Sequence, residues 1–220
     1  MLEPRLSAAF AELASDLRRV CGDRLVSLVA YGDFGGAEDG EAHALALVDG
    51  LAFPDLAKCV PLAPRWRRLG LATPLLLAPD EFRRSLDVFP IEYGEIVARH
   101  VVVAGASPFT GVTVSDADLR RACERQAKSH LIHLREGFLE TGGAPATVAQ
   151  LIAASAPAFR SLLLSLEQLE PGAAREAGVA ADLPREVASA ADATIADPSA
   201  LLARYIAAVE RLWHYVDRWR

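Results

Sequence analysis

The chain is poor in lysine and cysteine and lacks a long uninterrupted apolar run. Lysine occurs at Lys58 and Lys128, and the rest of the basic charge is arginine. Chemistry that needs a lysine amine therefore has two candidates. The three cysteines, Cys21, Cys59 and Cys123, lie far apart. An odd count without metal-ligand spacing argues against a disulfide framework or a thiolate metal site, and buried thiols in a reducing compartment are expected. The opening residues show no basic stretch followed by an apolar one, so no signal peptide is expected. The apolar runs fall short of the roughly 20 residues of a membrane helix. Together these features predict a cytoplasmic protein without a membrane partner. Positive charge is also in deficit: Lys+Arg 23 against Asp+Glu 29 gives a net charge of -6. That balance argues against a general polyanion-binding surface, and nucleic acid is not expected as a partner. What the chain does have is apolar substance. With 220 residues and 52% hydrophobic composition, it can build one or two real cores.

Periodicity divides the sequence into two textures. Leu6, Phe10, Leu13, Leu17 and Val20 form one helical stripe between Arg5 and Val20. Strands are predicted at Arg24 to Tyr31, His43 to Val48, Pro74 to Ala78, Val88 to Glu92 (at an edge, because of Pro90) and Val101 to Val103. Short helices are expected near Pro54 and from Pro79 to Leu86. After Gly111 the pattern is helical throughout. Ser115 caps a long helix, helices are expected at Thr147 to Ala154 and Phe159 to Leu169 with Pro157 between them, and Asp197-Pro198 opens a last one. Pro171 to Asp197 reads as a weak helix or a loop. An α+β architecture follows, a mixed-sheet domain over 1–112 and an all-helical bundle over 113–220.

The most informative stretch is Leu25-Val26-Ser27-Leu28-Val29-Ala30-Tyr31-Gly32-Asp33-Phe34-Gly35-Gly36, followed by Leu45-Ala46-Leu47-Val48. It resembles the opening of the nucleotidyltransferase superfamily, in which a strand ends in Gly-Ser and a second strand carries two alternating carboxylates. Asp80-Glu81-Phe82-Arg83-Arg84-Ser85 and Asp87-Val88-Phe89-Pro90-Ile91-Glu92 resemble the later helix and the strand bearing the third carboxylate. The C-terminal helices resemble the bundle that often accompanies this domain. The resemblance implies a nucleoside triphosphate, Mg2+ or Mn2+, and a hydroxyl acceptor. Gly32, Asp33, Gly35 and Gly36 would hold the phosphates. Glu41 and Glu92 would be the catalytic acids, and Glu41, His43 and Glu92 the metal ligands.

The departures from that pattern carry physical meaning. Asp33 stands where the family has Ser, and an ionised carboxylate cannot donate a hydrogen bond to phosphate. It also repels a triphosphate unless a cation lies between them. His43 takes the place of the second acid, and imidazole suits softer ions than magnesium. A register shifted by two would use Asp39 and Glu41 instead. Three readings follow: a nucleotidyltransferase-like protein that has lost transfer and serves as a non-catalytic binding or regulatory protein, an active enzyme with rearranged acids, or an unrelated domain whose Gly-rich turn is only a turn. In the first no cofactor is required; in the second Mg2+ or Mn2+ acts with an NTP. The resemblance also admits a protein partner or a homodimer.

Other candidates are Arg65, Arg67 and Arg68 around Trp66, for an anion, and His130 with His133, three apart on one helix near Lys128 and Arg135. Glu95 lies next to Glu92. Trp213, Tyr215 and Trp219 are expected as core or interface aromatics.

Overall fold

The computed structural model describes residues 2–32, 42–191 and 195–219. Its chain divides into two compact units, Met1–Val114 and Ser115–Arg220. In the first, helix α1 (Pro4–Cys21) precedes strands β1 (Leu25–Tyr31) and β2 (His43–Val48). Short helices α2 (Phe53–Cys59) and α3 (Ala63–Arg68) lead to β3 (Leu75–Leu77), then to α4 (Pro79–Arg84), α5 (Pro90–Ala98) and β4 (His100–Gly105). The sheet order is β3-β2-β1-β4. β1 is antiparallel to both β2 and β4, while β2 and β3 run parallel.

The alternation of side chains along β1 and β2 sorts two cores onto the two sheet faces. Leu28, Ala30, Ala44 and Ala46 pack with Phe10, Leu13 and Leu17 of α1 and with Trp66 of α3. Val29, Leu45 and Leu47 pack with Phe82, Tyr93, Ile96 and Phe109 on the other side. Each large apolar side chain so buried contributes about 1.5–3 kcal/mol. Two buried carboxylates fix the helices on the first face. Asp16 of α1 accepts from the Trp66 indole at 3.0 Å and from Arg65 at 3.2 Å. Asp55 of α2 receives both arms of Arg24, at 2.6 and 3.0 Å, and caps the Ala52 amide.

The second unit contains α6 (Asp116–Glu140), α7 (Pro145–Leu169), α8 (Ala173–Glu176), α9 (Leu183–Ala188) and α10 (Pro198–Asp217). Ser115 accepts from the Asp118 amide, and Asp197 from the Ala200 amide at 2.9 Å, so α6 and α10 begin on side-chain caps. α7 packs against α6, α9 and α10. Its core contains a polar cluster: His130 Nε2 meets the Tyr205 hydroxyl at 2.5 Å, and Ser155 Oγ lies 3.3 Å from that hydroxyl.

The structure corrects three expectations. Val88 to Glu92 is not a strand: Pro90 is the first residue of α5, where the missing N–H costs nothing. Pro157 does not separate two helices. α7 runs through it for 25 residues, with the proline on the exposed side, where a freed carbonyl can be hydrated. Tertiary packing of Val148, Ile152, Phe159, Leu162 and Leu166 holds the helix together across the break. By length and composition α7 also suits a membrane span, with mean hydropathy 1.3 over its best window, a property that the short apolar runs hid. Those same five side chains are buried in the protein interior.

Candidate functional site

The site is built at the end of the sheet where β1 stops. Gly32 follows β1 with φ 98°, a conformation that L side chains rarely adopt, and its amide donates to the Arg99 carbonyl at 3.4 Å. Tyr31, the last residue of β1, is paired with His43 of β2 on one side and His100 of β4 on the other. Directly opposed residues share a sheet face, so the three rings form a row on the face that also carries Val29 and Leu45. The Tyr31 and His43 rings stack at 5.6 Å with 25° between their planes. His100 meets the edge of Phe109 at 4.5 Å, and its Nδ1 lies 3.0 Å from the Val97 carbonyl. A carbonyl can only accept, so Nδ1 carries a proton and donates it to this contact.

Electrostatics connect this row to α5. Burial raises the Tyr31 phenol pKa, and the nearby negative charge of Glu95 raises it further, followed by Tyr93. Glu95 is half-buried, whereas Glu92 is exposed and acts on Tyr93. Of the two α5 acids, Glu95 is thus the one whose charge acts on Tyr31. Tyr31 and His100 were not singled out from the sequence. The expected last strand began at Val101, one residue too late, and register across three strands has no local signature. Asp33, Gly35, Gly36, Asp39 and Glu41 lie outside the described residues.

No protein-family model matches the chain, and no curated protein matches it in sequence. A solved structure does. A spectinomycin adenyltransferase from Enterococcus faecialis, determined with ATP and spectinomycin, aligns with TM-score 0.56 at 10% identity, over 96% of this chain and 99% of that one. The fold is nucleotidyltransferase-like. It combines a mixed-sheet domain with a following helical part.

A nucleotidyltransferase-like fold raises the question of a divalent metal. Magnesium requires hard oxygen ligands in near-octahedral geometry. β2 reads His-Ala-Leu-Ala-Leu-Val and β4 reads His-Val-Val-Val-Ala-Gly, so neither strand carries a carboxylate. Among the described residues, no three His, Cys, Asp or Glu side chains are placed to hold a metal ion. The described residues therefore do not fit a magnesium site. At the end of the sheet they present imidazoles and a phenol rather than hard oxygens.

The remaining candidates have structural partners. Trp66 is buried, and Arg65 is committed to Asp16 and Glu12, which leaves Arg67 and Arg68 as the exposed part of that basic segment. His130 is a core residue, while His133 is exposed and lies 3.4 Å from Glu136. Lys128 sits over the Trp213 ring at 3.3 Å, a cation–π contact. Tyr215 donates to Glu176 at 2.8 Å. The three cysteines are buried and free, and burial pushes the Cys123 thiol up to about 12, so it stays protonated and unreactive.

Proposed function

We propose that this is a nucleotidyltransferase-like protein that has lost nucleotidyl transfer and acts as a non-catalytic binding or regulatory protein. The observation that carries this reading is the ring row His43–Tyr31–His100 at the sheet end, on strands that carry no carboxylate. Transfer by two metal ions needs oxygen ligands that hold both ions against the reacting phosphate. Imidazoles at these strand positions cannot supply them. In this reading residues 1–112 are the nucleotidyltransferase-like domain and 113–220 the helical bundle domain, working in the cytoplasm. A nucleotide is the natural small ligand, since the structural neighbour was determined with ATP. Gly32 with Asp33, Gly35 and Gly36 is the proposed phosphate turn.

Calorimetric titration with ATP, GTP, CTP and UTP tests the proposal, in EDTA and then with Mg2+ or Mn2+. The expected result is that any nucleotide binding is the same with and without metal, and that no labelled nucleotide is transferred. Metal-dependent micromolar binding, abolished by Glu41→Ala and by Glu92→Ala, would overturn it in favour of an active enzyme in which Glu41, His43 and Glu92 hold the metal.

A further inference from the structure

The outward side of α6 carries an ordered charge pattern. Arg121, Arg125, Lys128, Ile132, Glu136 and Leu139 recur at spacings of four, three, four, four and three, which places them in one stripe opposite the buried face of the helix. The stripe is basic toward its N-terminal end and apolar and acidic toward its C-terminal end. Leu139 is 79% exposed and Ile132 42%. Arg121 is tied to Asp118. Arg125 has no ion-pair partner among the described residues, and Glu136 meets His133 at 3.4 Å. Arg121, Arg125, Lys128 and Ile132 of the stripe also line a groove of about 790 Å³ between α6 and α10, with Trp213 in its opposite wall.

We propose that this stripe is an antiparallel contact between two copies of the chain, with α6 packed on α6 across a two-fold axis between Lys128 and Ile132. An antiparallel arrangement turns the polarity of the stripe into complementarity. Arg125 of each copy faces Glu136 of the other, Arg121 reaches the level of Leu139 and Glu140, and the two Ile132 side chains meet near the axis. A two-fold contact is self-complementary by necessity, and the charges toward the two ends of the stripe satisfy that requirement, while Lys128 near the axis lies over the Trp213 ring of its own copy. A parallel arrangement would set Arg125 against Arg125 and Glu136 against Glu136, so the charges select the antiparallel one. From Arg121 to Leu139 the stripe is about 27 Å long at 1.5 Å per residue. With a helix width of about 10 Å the face covers about 270 Å², short of the ~800 Å² per partner of a typical stable complex. The association is accordingly weak, in the range of tens of micromolar, and is weakened further by salt.

Sedimentation velocity of the full chain from 1 to 100 µM reads it directly. Wild type is expected to pass from monomer to dimer across that range. Arg125→Glu and Glu136→Arg should each raise the dissociation constant about tenfold or more. An equimolar mixture of the two single variants should recover wild-type association, because each mixed pair restores both contacts. The double variant R125E/E136R should recover it as well. Residues 125 and 136 are three turns apart on one helix and cannot rescue each other within a chain. Far-ultraviolet circular dichroism confirms that each variant is folded. Monomer at all wild-type concentrations overturns the proposal, as does a dimer indifferent to the single reversals or a mixture that fails to recover.

Discussion

Tyr31 stacks on His43 at the end of β1, with ring centroids 5.6 Å apart. The pair sits beside Gly32, and in the proposed reading position 43 is where a strand carboxylate would be required for transfer chemistry. If the loss of transfer resides in the strands, then restoring an acid should restore some metal affinity. His43→Asp places a carboxylate on β2, two residues from Glu41 in sequence. Mn2+ affinity is expected to rise about tenfold, equivalent to ~1.4 kcal/mol, measured by calorimetry without nucleotide. An unchanged affinity would mean that position 43 is not a ligand position in this fold.

A second prediction follows from the interior of the helical unit. His130 is buried, and the cost of charging it there, with a smaller contribution from His133, pushes its pKa down to about 4. An unfolded histidine titrates near 6.5. Between these values the unfolded chain binds more protons than the folded one, so stability rises with pH across that window. The contribution is complete above about pH 6.5 and is lost as pH falls through about 4. It amounts to about 3 kcal/mol. Urea unfolding at pH 7 and pH 4.5 should show this dependence in wild type, and His130→Leu should flatten it. Tyr205→Phe removes the partner at 2.5 Å and is expected to cost about 1–3 kcal/mol at pH 7.

Much of this architecture could be read in the sequence, and the exceptions have physical causes. The α1 stripe is legible in its helical periodicity, β1 and β2 in apolar runs next to glycine-bearing turns, and β3 in three leucines between Pro74 and Ala78. The Ser115 and Asp197 caps are legible in residue type. Two prolines misled in opposite directions. Pro90 reads as a strand breaker, yet at a first helical position its missing N–H is no loss. Pro157 reads as a helix breaker, yet packing on both sides outweighs its local cost. At the site, His43 was legible as a substitution in a motif. Tyr31 and His100 were not, because their proximity depends on the register of β1 against β4, which includes an irregularity between Leu28 and Val29. Glu92 and Glu95 lie on one helix, and only the way α5 packs distinguishes them.

The third prediction concerns Asp16, whose side chain is 1% exposed and accepts from the Trp66 indole, Arg65 and Arg19. Asp16→Ala leaves the buried Trp66 N–H without its acceptor. It also removes one of the two carboxylates of α1 that hold Arg65 of α3. A loss of about 2–3 kcal/mol is expected at pH 7. Asp16→Asn keeps an acceptor for the indole and should lose less. Chemical denaturation of both variants, with Trp66 fluorescence as one probe, checks the order.

Gly105 supplies the sharpest steric test. It ends β4 with φ +78°, and a Cβ built there would lie 2.1 Å from the Val26 carbonyl oxygen and 3.1 Å from the Ser27 Cα. Those atoms belong to the backbone of β1, the central partner of β4, so they cannot move aside as a flexible side chain could. Ser27 Oγ also donates to the Ala106 carbonyl at 2.9 Å, which closes the same junction. Gly105→Ala therefore combines conformational strain of about 1–2 kcal/mol with a backbone clash. A total loss of at least about 3 kcal/mol is expected, seen as a lower urea midpoint or as failure to accumulate folded protein. Gly111→Ala is the matched control. Gly111 has φ +72°, and nothing lies within 4 Å of its Cβ position, so strain acts there without the clash. Its cost should be that strain alone, about 1–2 kcal/mol. Equal losses at the two positions would show that β4 moves away from β1 to accept the methyl group, and that the edge of this sheet is softer than its register implies.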